Sequence, residues 1–283
     1  MMKNLKNRLG FSMIEVIFVI IILGIVSSIG AEIIAKVYEN YIVQRGQHRA
    51  SLKTQLALKQ IENRLKYVIP DTLIRRESKS SSWEIADSLL DTEKSYTVLQ
   101  WVGSDNESFQ AISTDANRKP GWSAFCDLNA SDETHISTPG SNLGLADTII
   151  NNLSGGTASI TNASIFFPND TESHAIHSAS DELITLENNA SRIVERYKLA
   201  WTSYALAVEE VDSEKNLYLY YNFAPVVGID IPNDTPRQLL LKNITTFKFK
   251  SRGDTIRIKI CVKEKISDVN SSDIRSCKEK AVF

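Results

Sequence analysis

Glu15 is the residue of this chain whose position most needs a chemical explanation. It is the single ionisable side chain in the apolar block of residues 11–31. An acid inside a membrane helix costs about 2.5–3.5 kcal/mol on insertion scales, so such a residue is a functional-site candidate. The simpler alternative is that Glu15 lies close enough to the membrane interface for its carboxylate to stay hydrated. The sequence therefore poses a choice between a functional carboxylate and an incidental one.

Gly10 and Phe11 suggest what the carboxylate of Glu15 could neutralise. Gly10 is a small residue that precedes the apolar block, so cleavage after it would remove residues 1–10 and keep the membrane helix. Phe11 would then supply a new amino terminus four residues before Glu15. Because positions four apart share one face of a helix, an amine and an acid in that layer can neutralise each other.

The apolar block is long enough to cross a bilayer. As a helix its 21 residues would extend about 30 Å, the thickness of a hydrocarbon core. Lys3, Lys6 and Arg8 precede the block without any acid, and a basic flank stays on the cytoplasmic side. We therefore expect a single span, with a cytoplasmic N-terminus and everything after residue 31 across the membrane.

Two alternatives for this block remain open. In a secretory signal peptide the small-residue cleavage site follows the apolar region, and Ser28, Gly30 and Ala31 meet that requirement. A plain signal anchor would keep the whole segment and leave Glu15 without a role. The first alternative predicts a secreted adhesin, and the second predicts a single-span membrane-anchored periplasmic binding or sensory protein.

The segment G-FSMIEVIFVIIILGIV, from Gly10 onward, resembles the class III leader of type IV pilins and type II secretion pseudopilins. The shared features are a basic leader ending in Gly10, Phe11 as first mature residue, Glu15 at mature position five, and an unbroken apolar stretch. The resemblance implies that a prepilin peptidase cuts after Gly10 and methylates the Phe11 amine. It also implies that Glu15 pairs with Phe11 of a neighbouring subunit during assembly. One departure is Glu32, which stands where many major pilins have a helix-kinking proline.

The resemblance also implies partners and a location. The partners are the prepilin peptidase, other pilin or pseudopilin subunits, an inner-membrane assembly platform and inner-membrane lipid. The location is the bacterial inner membrane with a periplasmic head, then a filament or its tip after assembly. The length of 283 residues favours a minor subunit. The size of the head resembles the J type of pseudopilin or the W type of minor pilin.

Composition requires a conventional hydrophobic core. The chain is 42% hydrophobic and 23% charged with a formal net charge of −2, so it is neither disordered, collagen-like nor polybasic. Its 12 Gly, seven Pro and three Cys exclude a low-complexity linker protein and a small disulfide scaffold.

One long helix is predicted from about residue 12 to about residue 69. Apolar residues between Ile33 and Val68 recur three or four positions apart, and no proline occurs before Pro70. The expected fold class is α+β and pilin-like, with this helix packed under an antiparallel sheet. The expected parts are a cleaved leader 1–10, a membrane half 11–31, an amphipathic half 32–70 and a β-rich periplasmic head 71–283.

Alternating apolar residues predict the strands of the head. The segment 114–180 is polar and turn-rich, and we expect surface loops there. A hairpin is predicted over 197–223, with a phase slip near Ser203 that indicates a bulge. The other expected strands are 96–103, 108–113, 163–167, 183–187, 244–251 and 254–263, the last with Ile256, Ile258, Ile260 and Val262 facing inward.

Three cysteines allow one intramolecular bridge. Cys261 lies on the polar face of its strand, and Cys277 follows 16 positions later. A bridge between them is permitted if the head is outside the cytoplasm, and it resembles the C-terminal disulfide loop of many pilins. Two free thiols or a bridge to Cys126 remain alternatives, and Cys126 is otherwise interpreted as a buried thiol.

Other polar groups give no catalytic, cofactor or metal site. His174 and His177 lack a convincing third ligand and are expected to be solvated loop histidines. Asp127, Asp132 and Glu133 match no EF-hand spacing and are expected to form a solvated acidic face rather than a calcium site. No nucleophile elbow, P-loop, dinucleotide glycine motif or paired-Cys zinc site occurs, so the sequence predicts no enzymatic activity.

The remaining signals in the sequence are its uneven distribution of charge and two possible glycosylation sites. Residues 242–283 hold 11 Lys and Arg against five acids, whereas residues 11–241 hold 18 against 29. We expect complementary surfaces between stacked neighbours, with DNA binding the less favoured alternative. Asn129 and Asn270 lie in N-x-S sequons preceded by an acid, which resembles some bacterial glycosylation acceptors, although chance explains such sequons in an Asn- and Ser-rich chain.

Overall fold

The structure is a computed structural model that describes residues 12–86, 95–114, 116–170, 172–253, 255–265 and 273–282. The chain divides into two compact units. One comprises Met1–Arg49 with Glu264–Ile274, and the other comprises Ala50–Lys263 with Arg275–Phe283. A long apolar helix followed by antiparallel sheets makes this an α+β chain, as the sequence predicts.

Helix α1 spans Met13–Leu65. It ends four residues before the predicted boundary, because strand-like pairing replaces helical hydrogen bonding there. Val68 forms a bridge with Gly103, and the backbone N–H of Ile69 donates to the carbonyl of Val102 at 3.0 Å. Burial in α1 begins well after the membrane block, and its buried residues recur three or four apart: Ala50, Thr54, Ala57, Leu58, Ile61 and Leu65.

The other described helices and strands all belong to the head. The α-helices are α2 (Asn106–Gln110) and α3 (Leu143–Leu153), and a single 3-10 turn spans Ile160–Asn162. The strands are β1 (Ile74–Arg76), β2 (Trp83–Ile85), β3 (Val98–Gly103), β4 (His135–Ser137), β5 (Ser164–Phe166), β6 (His174–Ser180), β7 (Leu183–Leu186), β8 (Lys198–Ala200), β9 (Thr202–Val211), β10 (Glu214–Phe223), β11 (Arg237–Leu241), β12 (Ile244–Arg252), β13 (Thr255–Lys265) and β14 (Asp273–Val282).

The strands form three sheets. Their orders are β11-β10-β9-β3-β1-β2, β4-β7-β6-β5-β8 and β12-β13-β14. Every pair with a described register is antiparallel. The main core joins the last turns of α1 to the first and third of these sheets, with Ile256, Ile258, Ile260 and Val262 facing inward as predicted.

The predicted hairpin over 197–223 is present, and its irregularity has two parts. The chain changes sheets at Trp201, between β8 and β9. The register of β9 with β10 then shifts between Tyr220 and Phe223, opposite Ser203. The bulge therefore lies on the partner strand, where Asn222 has a φ of 58°.

Two sequence predictions for the head are wrong. Residues 108–113 do not form a strand, because the Asp105 carboxylate accepts a hydrogen bond from the Ser108 N–H and caps α2. The segment 114–180 is not a set of surface loops. It contributes α3, β4, β5 and β6, whose apolar side chains bury a second core around Ile136, Ile150 and Ile165.

Candidate assembly segment and surfaces of the head

Glu15 lies in the first turn of α1 with its side chain exposed. Its Oε2 accepts a hydrogen bond from the backbone N–H of Ser12 at 3.2 Å. A carboxylate in the first turn also interacts favourably with the positive end of the helix dipole. Gly10 and Phe11 lie outside the described residues, so cleavage, methylation and pairing with Glu15 stay predictions.

The N-terminal part of α1 exposes a continuous apolar surface. Among the described residues, α1 is the one helix long and apolar enough to cross a membrane. None of its residues before Ala50 is buried, and the side chain of Leu23, for example, is 67% exposed. Exposed apolar surface of this extent marks contact with lipid or with other proteins.

A disulfide bond joins Cys261 of β13 to Cys277 of β14. This is the pairing that the resemblance implies, and it crosslinks two strands that lie side by side in the three-stranded sheet. Cys126 is a free, buried thiol whose Sγ lies 3.4 Å from Ser131 Oγ. Burial raises the pKa of the Cys126 thiol, so this cysteine stays protonated at neutral pH.

The histidine prediction is wrong for His174. Both His174 and His177 lie on β6 rather than in a loop, and only His177 is exposed. The register of β6 with β7 shifts between Ile176 and Ser178, so the strand is irregular at His177. His174 is buried against the Phe167 ring, and its Nε2 lies 3.3 Å from Asp170 Oδ2. His174 and His177 thus differ in burial, and the described residues contain no group of three or more side chains that could hold a metal ion.

The acidic cluster after Cys126 makes local hydrogen bonds. Asp132 Oδ1 accepts from the backbone N–H groups of Thr134 and His135, and these bonds hold the pKa of the Asp132 carboxyl far below its usual range. Glu133 Oε2 accepts from the Asn189 amide. These contacts are typical of a turn with a solvated acidic surface.

Of the two possible glycosylation sites, Asn129 is exposed in this turn, and Asn270 lies outside the described residues.

The three-stranded sheet presents a strongly basic surface, which we call the basic face. Its cations are exposed, and none of them has a described ion pair. Within their described residues, β12 and β13 contribute no acid to this face, whereas β14 places the exposed acids Asp273 and Glu279 on the same side as Arg275. The basic face consists of Lys248, Lys250 and Arg252 on β12, Arg257 and Lys259 on β13, and Arg275 on β14.

The register of β12 with β13 places like charges opposite each other, which makes the basic face electrostatically unfavourable in the isolated chain. Lys248 lies opposite Lys259, and Lys250 lies opposite Arg257. Like charges directly opposite each other across an antiparallel pair destabilise it. The sequence already indicates the positive charge of residues 242–283, but the alignment of the cations depends on the register of the two strands.

Arg76 is an important buried residue that the sequence does not single out. Its side chain is 1% exposed and pairs with the Asp230 carboxylate. Its guanidinium also donates to the backbone carbonyls of Gly228 and Ile229. The local signal is weak, because two consecutive arginines on a short strand give no indication of which one is buried.

Comparison with protein families matches residues 5–31 to the prokaryotic N-terminal methylation motif. The matched range includes Gly10, Phe11 and Glu15. Searches of curated proteins and of solved structures give no match to the chain. The chain therefore carries a prepilin-type N-terminal methylation motif, and this motif supports a relationship to the type IV pilin and pseudopilin family.

Proposed function

We propose that this chain is a minor pilin or pseudopilin, processed by a prepilin peptidase and assembled into a type IV pilus or type II secretion pseudopilus. The observation that carries the proposal is the methylation motif at residues 5–31. The motif coincides with the exposed apolar part of α1. Lipid would cover this apolar surface before assembly, and neighbouring subunits would cover it afterwards.

The proposed role of Glu15 follows from charge burial. Cleavage after Gly10 frees the Phe11 amine, the peptidase then transfers a methyl group to it, and Glu15 pairs with the Phe11 amine of a neighbouring subunit. An unpaired carboxylate inside the bilayer costs about 2.5–3.5 kcal/mol. Pairing relieves this cost, so incorporation of a subunit in the correct axial position is favoured over its retention in lipid.

The proposed topology divides the chain into a cytoplasmic leader 1–10, a membrane segment 11–31, an amphipathic segment 32–70 and a periplasmic head 71–283. The oxidised Cys261–Cys277 pair supports a head outside the cytoplasm. The inner-membrane assembly platform and membrane lipid are proposed partners. The J type of pseudopilin and the W type of minor pilin are the finer assignments that head size favours.

The basic face fits the same proposal. Residues 11–241 carry 29 acids against 18 basic residues, so neighbouring subunits can offer acidic surface to the cations of the basic face. Such complementarity fixes the register between partners more than it adds affinity. DNA is the less favoured partner of this face.

The N-terminal peptide of the protein from membranes of its native host tests the proposal directly. We expect mass spectrometry to find a mature chain that begins at Phe11 and carries one added methyl group. An intact N-terminus would instead favour the plain anchor and a periplasmic binding or sensory role. A chain that begins near residue 32 would indicate a secreted protein.

Replacement of Glu15 tests assembly separately from processing. We expect Glu15→Ala to be cleaved and to accumulate in the membrane but to be lost from the sheared filament fraction. The matched control is Glu32→Ala, which removes an exposed acid of the same helix that pairs with Lys36. Equal incorporation of Glu15→Ala and wild type would contradict the assembly role.

A further inference from the structure

A surface cleft of about 340 Å³ lies in the head beside the turn that follows α1. Its walls come from this turn, from α2, from the loop that holds Trp122 and from the start of β8. This volume is within the range of small-molecule sites. Nothing in the proposed assembly function uses this cleft.

The apolar wall of the cleft is a row of three aromatic rings. The ring centroids of Phe109 and Trp122 are 4.8 Å apart, and those of Trp122 and Tyr197 are 5.7 Å apart. Trp122 Nε1 donates to the Asp105 carbonyl at 2.9 Å, and the Tyr197 hydroxyl lies 2.7 Å from Thr138 Oγ1. The two inner rings are buried and fixed, whereas Phe109 is 43% exposed. The cleft therefore offers a preformed apolar surface with an uncovered outer ring.

The rim of the cleft is cationic. Lys66, Arg196 and Lys198 line it and are exposed, and none of the three has a described ion pair. No carboxylate is among the described lining residues. Partial burial of its ammonium group lowers the pKa of Lys198. An anion beside Lys198 would offset this desolvation.

The backbone of the wall is also held in an uncommon conformation. Ala124 lines the cleft with a φ of 61°, in the left-handed region that favours glycine. Such a conformation is costly for a residue with a Cβ and persists only where the surrounding structure holds it.

We propose that this cleft binds a small organic anion whose ring-sized apolar body lies against Phe109 and whose acidic group lies among Lys66, Arg196 and Lys198. An uncharged apolar ligand would gain nothing from the three cations, although Lys66 and Arg196 already lie over the rings of Tyr67 and Phe125. An inorganic anion would leave the exposed ring of Phe109 in water. A carboxylated ring satisfies both surfaces at once.

Matched probes test the proposal on the full-length chain in nanodiscs of zwitterionic lipid. Benzoate and its neutral analogue benzamide have the same ring, so ligand-observed NMR titrations isolate the contribution of the charge. We expect benzoate to bind about tenfold more tightly than benzamide, a difference of about 1.4 kcal/mol. Equal affinities would overturn the assignment of an anion.

Two variants locate the binding in the cleft. Lys198→Gln is expected to weaken benzoate about tenfold and leave benzamide unchanged, because only the charged probe uses the ammonium. Phe109→Ala is expected to weaken both probes. The matched control is Lys250→Gln, which removes a cation from the basic face. Equal loss in Lys250→Gln and Lys198→Gln, or no loss in Lys198→Gln, would overturn the site. Neither result would affect the N-terminal peptide or filament measurements.

Discussion

Lys250 and Arg257 lie directly opposite each other across the β12–β13 pair, and neither has a described acidic partner. The same relationship holds for Lys248 and Lys259. The disulfide between Cys261 and Cys277 lies on the same side of the sheet as these side chains. The chain thus keeps like charges opposite each other within a covalently closed sheet, an arrangement that an acidic partner would stabilise.

Lys250→Glu is expected to stabilise the isolated protein. The substitution converts a repulsive cross-strand pair into an attractive one with Arg257, so the free energy of unfolding should rise by about 0.2–1 kcal/mol. Urea unfolding at low ionic strength measures this change. High salt should reduce the gain, because exposed charges are screened.

The double variant Lys250→Glu/Arg257→Glu is the control for that gain. It restores a like-charge pair with the opposite sign, so it should lose the stabilisation that Lys250→Glu provides. An equal gain in the single and double variants would show that the overall charge of the sheet, rather than the pair, determines stability.

Cys277→Ser is expected to lower the free energy of unfolding by about 3 kcal/mol. The bridge closes a loop with a sequence separation of 16 residues, and its loss restores the entropy of the unfolded chain. Urea unfolding with and without reductant provides the measurement. Reductant should destabilise wild type and the Cys126→Ser control, but leave Cys277→Ser unchanged. A reductant-sensitive Cys277→Ser would contradict the pairing.

The sequence predicts those elements whose signal is contained within a continuous segment. The apolar block and the three- and four-residue spacing that follows it predict helix α1, and the alternation in β13 places Ile256 and Ile260 in the core. The N-terminal motif is equally local, since Gly10, Phe11 and Glu15 lie within six residues of one another. For this reason the N-terminal methylation motif is recognisable without any structure.

The remaining features depend on contacts that local periodicity does not encode. The Asp105 cap converts an apparent strand into α2 through a single side-chain hydrogen bond. The second core forms because β5 pairs with β8, which is distant in the sequence. This pairing places Ile165, from the largely polar segment 114–180, beside Leu199 in the core. The cleft likewise combines Lys66, Phe109 and Lys198 from three separate parts of the chain.

Arg76→Met is expected to lower the free energy of unfolding by about 3 kcal/mol. The substitution removes the guanidinium donors to both carbonyls. Ile229 keeps a hydrogen bond from Gln100 Nε2, but the partly buried Gly228 carbonyl loses its described side-chain donor, and leaving an acceptor unsatisfied is costly. Asp230→Asn should cost less than about 1 kcal/mol, because the Asp230 side chain is 69% exposed and regains water. Urea unfolding compares the two, and similar losses would show that the ion pair rather than the carbonyl contacts dominates.

Asp105 is expected to make stability fall as pH rises from about 4 to about 6. Burial raises the pKa of its carboxyl from 3.8 to about 6, so the folded state binds the proton more tightly than the unfolded state. The contribution of Asp105 to stability is complete below the pKa that this residue has in the unfolded chain. It is lost as pH rises through the pKa that Asp105 has in the folded protein. The shift corresponds to about 3 kcal/mol between the two limits. Urea unfolding across this pH range measures the decline.

Two variants separate this effect from the titration of other carboxyls. Asp105→Asn keeps an oxygen acceptor for the Ser108 N–H but cannot ionise, so its stability relative to wild type should increase from pH 4 to pH 7. Asp132 has the opposite effect on the pH dependence of stability, because hydrogen bonds from Thr134 and His135 lower the pKa of its carboxyl. Its contribution is lost as pH falls, and Asp132→Asn should therefore reduce the acid sensitivity of the protein. If Asp105→Asn and wild type show the same slope of stability against pH, burial does not raise the pKa of Asp105 in the folded protein.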